Sequence, residues 1–291
     1  MNYKKRKKEN LNLPSQIQLN NLLLCYQKGN HKEGEKLAIE ITNKFPNHPF
    51  AWKVLGALYS DKNMVDKALD ANHKAILLSP KDAEAHNNLG TCLQKLGRLN
   101  ESVKSYEKAG VAAIQIEDQV FPKRCGHAKG IEVCSVDEMK NRIGVASESR
   151  NSEDLLIIAR TDSRLEFGLD EAIKRAKAYS KAGADLIFVE SLQSLDEIEK
   201  LKKSIDKPLV YKMVPDGDLS NIHPTILKKL GYSIIIYPTL GFLSAADAIE
   251  RAFVEFKTNG LVKTQKLQNF DEFSKMIGFD EIYSFEERWK N

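Results

Sequence analysis

The chain has 291 residues, with 44 Lys and Arg against 40 Asp and Glu for a net charge of +4. Hydrophobic residues make up 42% and charged residues 29%, so a core can be buried, and wholly disordered, collagen-like and disulfide-scaffold classes are excluded. The length fits one large α/β domain or two smaller ones of roughly 100–200 residues, and so small a charge surplus does not argue for nucleic acid.

In chain order, the run Lys4, Lys5, Arg6, Lys7, Lys8 opens a basic tail over residues 1–14. It reads as solvated and frayed rather than as a nucleic-acid or lipid contact. No apolar run approaches ~18 residues and no secretion signal is visible. The expected address is cytoplasmic, with neither nucleic acid nor membrane as partner.

Residues 15–109 carry a repeat. Pro46 and Pro80, and Gly29, Asn63 and Gly97 in succession, are spaced at roughly 34 residues, the tetratricopeptide period. The best copy has Trp52, Leu55, Gly56 and Tyr59, then Ala68, Ala75 and Pro80. Leu55 and Tyr59 fall on one helical face, Gly56 and Ala68 let two helices approach, and Pro80 stops the second helix. The next copy repeats this with Leu89, Gly90, Leu93, Tyr106 and Ala109, whereas the copy from Ile17 to Pro46 keeps only its apolar alternation and final proline. Each copy predicts an antiparallel helix pair with Trp52, Leu55, Tyr59, Leu89 and Tyr106 buried at helix contacts. Similarity to tetratricopeptide repeats implies a concave surface for a peptide or another protein. Without the proline due near Ile114, the stack is expected to end uncapped.

From Gly110 short apolar runs alternate with amphipathic stretches. The runs are Val111–Glu117, Asp154–Thr161, Ala184–Glu190, Pro208–Val214 and Ser233–Tyr237, which read as buried parallel strands. Leu169–Ala182 reads as a helix capped by Gly183. The fold class is therefore helical repeats followed by an incomplete (β/α) barrel of about five parallel strands, occupying residues 110–291. Such barrels work at strand C-termini, where this sequence places Glu117, Asp118, Arg160, Asp162, Glu190 and Lys212. One charge there is often a solvated boundary; several in register point to one pocket. Cys25, Cys92, Cys125 and Cys134 lack Cys-x-x-Cys spacing and the histidines are scattered, which argues against structural zinc or disulfides. Three of the cysteines read as core, and Cys125 does not.

Ile116-Glu117-Asp118-Gln119, Phe121-Pro122-Lys123-Arg124-Cys125-Gly126-His127, Ile158-Ala159-Arg160-Thr161-Asp162 and Phe188-Val189-Glu190 together resemble the isocitrate lyase and phosphoenolpyruvate mutase superfamily, in its methylisocitrate lyase-like branch. The similarity runs to the C-terminus and includes a closing helical segment, Phe270–Trp289. It implies a magnesium-dependent carbon–carbon lyase acting on a small keto or hydroxy di- or tricarboxylate through an enolate. On that resemblance Cys125 is the general acid on a mobile loop, with Lys123, Arg124 and His127 favouring its thiolate. Arg160 holds a substrate carboxylate, with Gly126, His127, Glu190 and Lys212 also at the substrate. Glu117 acts near Mg2+ through bound water. An exposed surface thiol is the competing reading of Cys125, and an ion pair with Glu190 or Glu117 that of Arg160.

The sequence departs from this family in several places. The first three βα units are absent, and with them the D-x-D-T-G-like loop that supplies the direct magnesium carboxylates. Asp61, Asp66, Asp70 and Asp82 upstream lie inside helical repeats. Lys212 replaces a substrate-binding Asn, and Leu243 an Arg of methylisocitrate lyases. A barrel closes with eight strands, so open edges and exposed inner apolar residues are expected. The chain reads as a fusion of two truncated parts whose lyase activity is weak or absent. The alternatives are an interaction module carrying a catalytically dead barrel remnant, and a homo-oligomer in which another chain supplies the missing units.

Overall fold

A computed structural model of the chain describes residues 13–126, 130–214, 219, 222–263 and 267–288. Most of the basic tail, His127 and Trp289 lie outside the described residues. The chain divides into two compact units, Met1–Ile236 and Tyr237–Asn291.

The first unit begins with helices α1 (Gln16–Gln27), α2 (His31–Lys44), α3 (Pro49–Asp61), α4 (Val65–Leu78), α5 (Ala83–Lys95) and α6 (Leu99–Lys108). Each packs on the next. The repeat is visible in the backbone: Gly29, Asn63 and Gly97, one in the tight turn of each hairpin, have φ of 70°, 57° and 72°. Glycine reaches this left-handed region freely, and asparagine more easily than most residues.

Side chains repeat as well. Trp52 Nε1 donates to Pro46 O at 2.8 Å, and one period later His86 Nε2 lies 2.9 Å from Pro80 O. A Cβ on Gly56 would run into Asn72 Oδ1, and one on Gly90 would meet Tyr106 Cε1 at 2.8 Å. These glycines are the slots into which the second helix of each pair packs. Leu55 and Leu89 are buried as predicted, whereas Trp52, Tyr59 and Tyr106 are half-buried, because each aromatic lies at the rim of its groove and the Trp52 indole N–H serves an inter-hairpin carbonyl. Asp82 is not inside a helix: its carboxylate caps α5, accepting from Ala85 N at 3.0 Å.

The sheet follows. Strands β1 (Ala113–Glu117), β2 (Leu156–Thr161), β3 (Leu186–Val189), β4 (Leu209–Lys212) and β5 (Tyr232–Ile236) form one parallel sheet in chain order. Helices α7 (Val136–Ser149), α8 (Arg164–Lys181), α9 (Leu195–Ser204) and α10 (Pro224–Lys229) connect them. Gly168, at φ 81°, breaks α8 near its start, and Gly183, at φ 112°, turns the chain after it. One face of the sheet joins these helices in the main core around Met139, Ile143, Ile157, Ile187 and Leu209. On the other, Leu186, Phe188 and Val210 cluster with Ile158 and Ile236. On this inner face Leu186, Phe188 and Val210 are buried, whereas Leu156 and Ile234 are exposed, so the expected exposure is met at the flanks of the sheet and not at its centre. Phe188 also lies under the Arg160 guanidinium, 5.0 Å from ring centroid to Cζ.

Nor does the repeat stack end open. Val103 of α6 belongs to the same core cluster as Met139, Ile143 and Ala146 of α7. The Glu107 carboxylate accepts from Asn151 N at 2.9 Å, Asn151 Nδ2 at 2.6 Å and Ser152 N at 2.7 Å. On its other side Ser102 Oγ donates to Gly90 O at 2.8 Å. One helix thus closes the last hairpin and covers the first strand, so α7 supplies the missing cap.

The second unit holds α11 (Leu240–Asn259), α12 (Phe270–Met276) and α13 (Phe279–Arg288). Gly260 in the left-handed conformation ends α11. Gly278, at φ 90°, divides the predicted Phe270–Trp289 segment into two helices.

Candidate functional site

Parallel register brings the strand C-termini together. Glu117 is level with Arg160, and Thr161 with Val189, so Glu117, Arg160 and Glu190 meet at one end of the sheet. Arg160 Nη2 lies 2.7 Å from Asp162 Oδ1 and 3.2 Å from Glu190 Oε2, and Arg160 Nε lies 3.9 Å from Glu117 Oε2. Lys123 Nζ is 3.3 Å from Glu117 Oε2, and Lys212 Nζ pairs with Glu190 Oε1. Of the residues read from sequence, Glu117, Arg160, Glu190 and Lys212 therefore form one network. The ion pair that competed with a substrate role for Arg160 is present.

The loop after β1 sits on this network. A Cβ on Gly126 would meet Arg160 Nη2 and Glu190 Cγ, both at 2.7 Å, so only glycine lets the backbone approach so closely. Ser191 Oγ donates to Gly126 O at 2.9 Å, fixing the loop from β3. Cys125 precedes Gly126 and is exposed. Cys92 and Cys134 are buried, and Cys25, expected in the core, is only partly covered.

Three participants were not given a role by sequence. Asp162 binds Arg160, and Gln119 Nε2 donates to Asp162 Oδ2 and Glu117 Oε1, both at 3.2 Å. Gln119 also accepts from Arg124 N and donates to Arg124 O, tying the loop to the strand ends. Ser191, at φ 61°, is strained so as to face Gly126. Asp162 was visible in the Ile158–Asp162 motif; Ser191 carried no sequence signal.

Beneath the site, Asp118 is fully buried. Its carboxylate accepts from Thr161 Oγ1 at 2.7 Å, Asp162 N at 3.0 Å, Tyr179 OH at 2.8 Å and Arg175 Nη1 at 3.2 Å. It clamps β1, β2 and α8 together and so sets where Glu117 and Arg160 stand.

Electrostatics follow from the packing. Burial, then the hydrogen-bonded Asp162 carboxyl, raise the Glu117 pKa, and Arg160 and Lys123 only partly offset this. Burial works against the Arg160 charge, but the hydrogen bond to Asp162 and the fields of Asp162, Glu190 and Glu117 outweigh it, so its pKa is raised. Each cation of the site thus faces a carboxylate of the same site.

The donor set does not fit a resident Mg2+. Glu117 and Asp162 are the acidic groups placed to serve one, and both are engaged by Lys123, Arg160 and Gln119. Among the described residues no group of three His, Cys, Asp or Glu side chains converges as a metal site, and a magnesium ion wants near-octahedral oxygen ligands.

Comparison with known proteins places this geometry. The family model described as phosphoenolpyruvate phosphomutase matches residues 91–257, and a tetratricopeptide repeat model matches residues 74–104; both include the first half of α6. A 2,3-dimethylmalate lyase of Eubacterium barkeri is 37% identical over 72% of this chain and 72% of its own length. A 2-methylisocitrate lyase of Aeropyrum pernix is 38% identical over 62% of this chain, which spans only 59% of that relative. Among solved structures, a phosphonopyruvate hydrolase complex with oxalate and Mg++ aligns with a TM-score of 0.55 at 28% identity, covering 67% of this chain and 69% of the other. With a family model matched over more than half of its length and a lyase relative 37% identical over 72% of both chains, the chain belongs to the phosphoenolpyruvate mutase/isocitrate lyase superfamily, with tetratricopeptide-like helices at its N-terminal side.

Proposed function

We propose that the strand-end cluster is a binding site for a small di- or tricarboxylate of the carbon–carbon lyase class, and that this chain alone turns such a substrate over slowly or not at all. The observation that carries the reading is the convergence of Arg160, Lys212 and Lys123 with Glu117, Asp162 and Glu190 under the Gly126 loop. Arg160 presents a planar donor suited to a carboxylate. Glu190 is buried, with Oε2 lacking a hydrogen bond, and can accept from a substrate hydroxyl. Cys125 stands on the loop that would close over the ligand, as proton donor to an enolate carbon.

Slow turnover follows from charge. Cleavage through an enolate depends on preorganised positive charge at the developing oxyanion, a task that a bound Mg2+ performs as a Lewis acid. Here the carboxylates that would serve such an ion are occupied by side-chain cations, and those cations are neutralised in turn. A substrate carboxylate must displace Asp162 or Glu190 from Arg160 before it binds.

Titration calorimetry of the 291-residue chain with oxalate tests the reading. Saturable millimolar binding that is lost in Arg160→Ala supports it. Absence of binding, or binding unchanged in Arg160→Ala, rejects it in favour of the interaction module, for which the glycine-slotted repeat packing is the supporting observation.

A further inference from the structure

Lys212 is the last residue of β4, level with Ile236 of β5, and stands at the same end of the sheet as Arg160 and Glu190. Its side chain is 13% exposed, against 37% for Lys123, the other lysine of the site. Lys212 Nζ pairs with Glu190 Oε1, while Arg160 Nη2 lies 3.2 Å from Oε2 of the same carboxylate. The two nitrogens are therefore set apart by the breadth of one carboxylate. A 2-oxo acid has that dimension, because its carbonyl carbon is bonded directly to its carboxylate carbon.

The two cations differ in what they can do to such a molecule. The Arg160 guanidinium stays protonated and is shaped to hold a carboxylate. A lysine amine, once it has given up a proton, attacks a carbonyl carbon and forms a Schiff base. The proton acceptor is in place, since Glu190 Oε1 already accepts from Lys212 Nζ, and Glu190 is buried.

We propose that Lys212 captures 2-oxo acids as a Schiff base in the strand-end site, an inference that rests on the carboxylate-binding reading above. The substrate carboxylate takes the place of Glu190 on Arg160, and its C2 carbonyl faces Lys212 Nζ. Glu190 removes one proton from the ammonium, and the freed nitrogen pair forms the C–N bond as the carbonyl π pair moves to oxygen. That oxygen gains two protons, one from the nitrogen and one returned by Glu190, and leaves as water while the nitrogen pair closes the C=N bond. Ammonium and ketone become protonated imine and water, and Glu190 ends as the carboxylate it began as. The protonated imine places at C2 the preorganised positive charge on which carbanion chemistry depends.

The test incubates the full 291-residue chain with pyruvate and sodium cyanoborohydride, which reduces the imine to a stable secondary amine, and locates the adduct by peptide mass spectrometry. Expected is an adduct at Lys212 formed about tenfold or more faster than at any other lysine, and about tenfold slower with acetone, which lacks the carboxylate. Saturating oxalate is expected to slow it to the rate of the surface lysines. Lys212→Arg keeps a cation opposite Glu190 but cannot form the imine, and loses the adduct with circular dichroism unchanged. If Lys212→Arg misfolds, the comparison among lysines of the unaltered chain decides alone. No adduct at Lys212, one no faster than at exposed lysines such as Lys174 and Lys203, or one indifferent to oxalate would overturn the inference. Oxalate binding without the adduct overturns it and leaves the carboxylate reading standing, whereas absence of oxalate binding removes that reading and the inference with it.

Discussion

Tyr179→Phe removes one hydroxyl from the clamp beneath the site. Tyr179 OH donates to Asp118 Oδ2 at 2.8 Å, and both residues are fully buried. Phenylalanine preserves the ring, so no cavity opens, and Asp118 keeps Thr161 Oγ1, Asp162 N and Arg175 Nη1 as donors. Arg175 Nη1, which also donates to Tyr179 OH at 3.2 Å, keeps Asp118 Oδ2 and Cys134 O as acceptors, so the loss is mainly that of the bond to the charged acceptor, about 2 kcal/mol. That corresponds to a fall in melting temperature of roughly 4–8 °C for a unit of this size. Asp118→Asn goes further: it removes the partner charge of Arg175 and turns an amide toward three side-chain donors, so a loss of about 3–5 kcal/mol is expected. Chemical denaturation followed by circular dichroism measures both. A Tyr179→Phe loss below about 0.5 kcal/mol, or one equal to that of Asp118→Asn, would refute the reasoning that Asp118 is a four-donor hub.

Gly90→Ala drives a Cβ into Tyr106 and is expected to cost about 1–3 kcal/mol; in a double-mutant cycle with Tyr106→Ala the combined loss should be smaller than the sum. Glu107→Ala leaves Asn151 and Ser152 without their acceptor and should cost roughly 1–2 kcal/mol, with faster amide exchange at both residues. Burial pushes Tyr211 up to about 12 and raises Tyr179 and Tyr232 as well. Unfolded tyrosine ionises near 10, so this stability is fully present below pH ~10 and is lost as pH rises from there through the folded values. Tyrosinate absorbance should therefore lag behind that of the denatured chain until alkaline unfolding.

The strands were legible because continuous β-branched runs admit few alternatives: Ala184–Glu190 contains β3, and Asp154–Thr161 contains β2. Their ends were not, since Asp154 and Pro208 carry no cue separating loop from ladder. The repeat was legible through its period, and the positive φ of Gly29, Asn63 and Gly97 gives that period a backbone cause. Cover at the rim was not: Trp52 and Tyr106 fit the motif yet stay half-buried, because spacing fixes a face but not its depth. The strand-end residues Glu117, Arg160 and Glu190 were legible from motif and register. Their mutual neutralisation was hidden, since it depends on rotamers and on Ser191 and Gln119 holding the loop. The double duty of α6 was also hidden: an amphipathic helix does not name its neighbours, and Val103 and Ser102 face two different ones.

The central claim is that the strand-end network binds a carboxylate but, with its own cations holding its acidic groups, does not carry turnover in this chain. The most direct measurement is keto-acid release from 2,3-dimethylmalate and 2-methylisocitrate by the purified 291-residue chain, with and without Mg2+, for the unaltered protein and Cys125→Ser. No release above the buffer rate, with both proteins indistinguishable, is predicted. Magnesium-dependent release by the unaltered chain that disappears in Cys125→Ser would contradict the account.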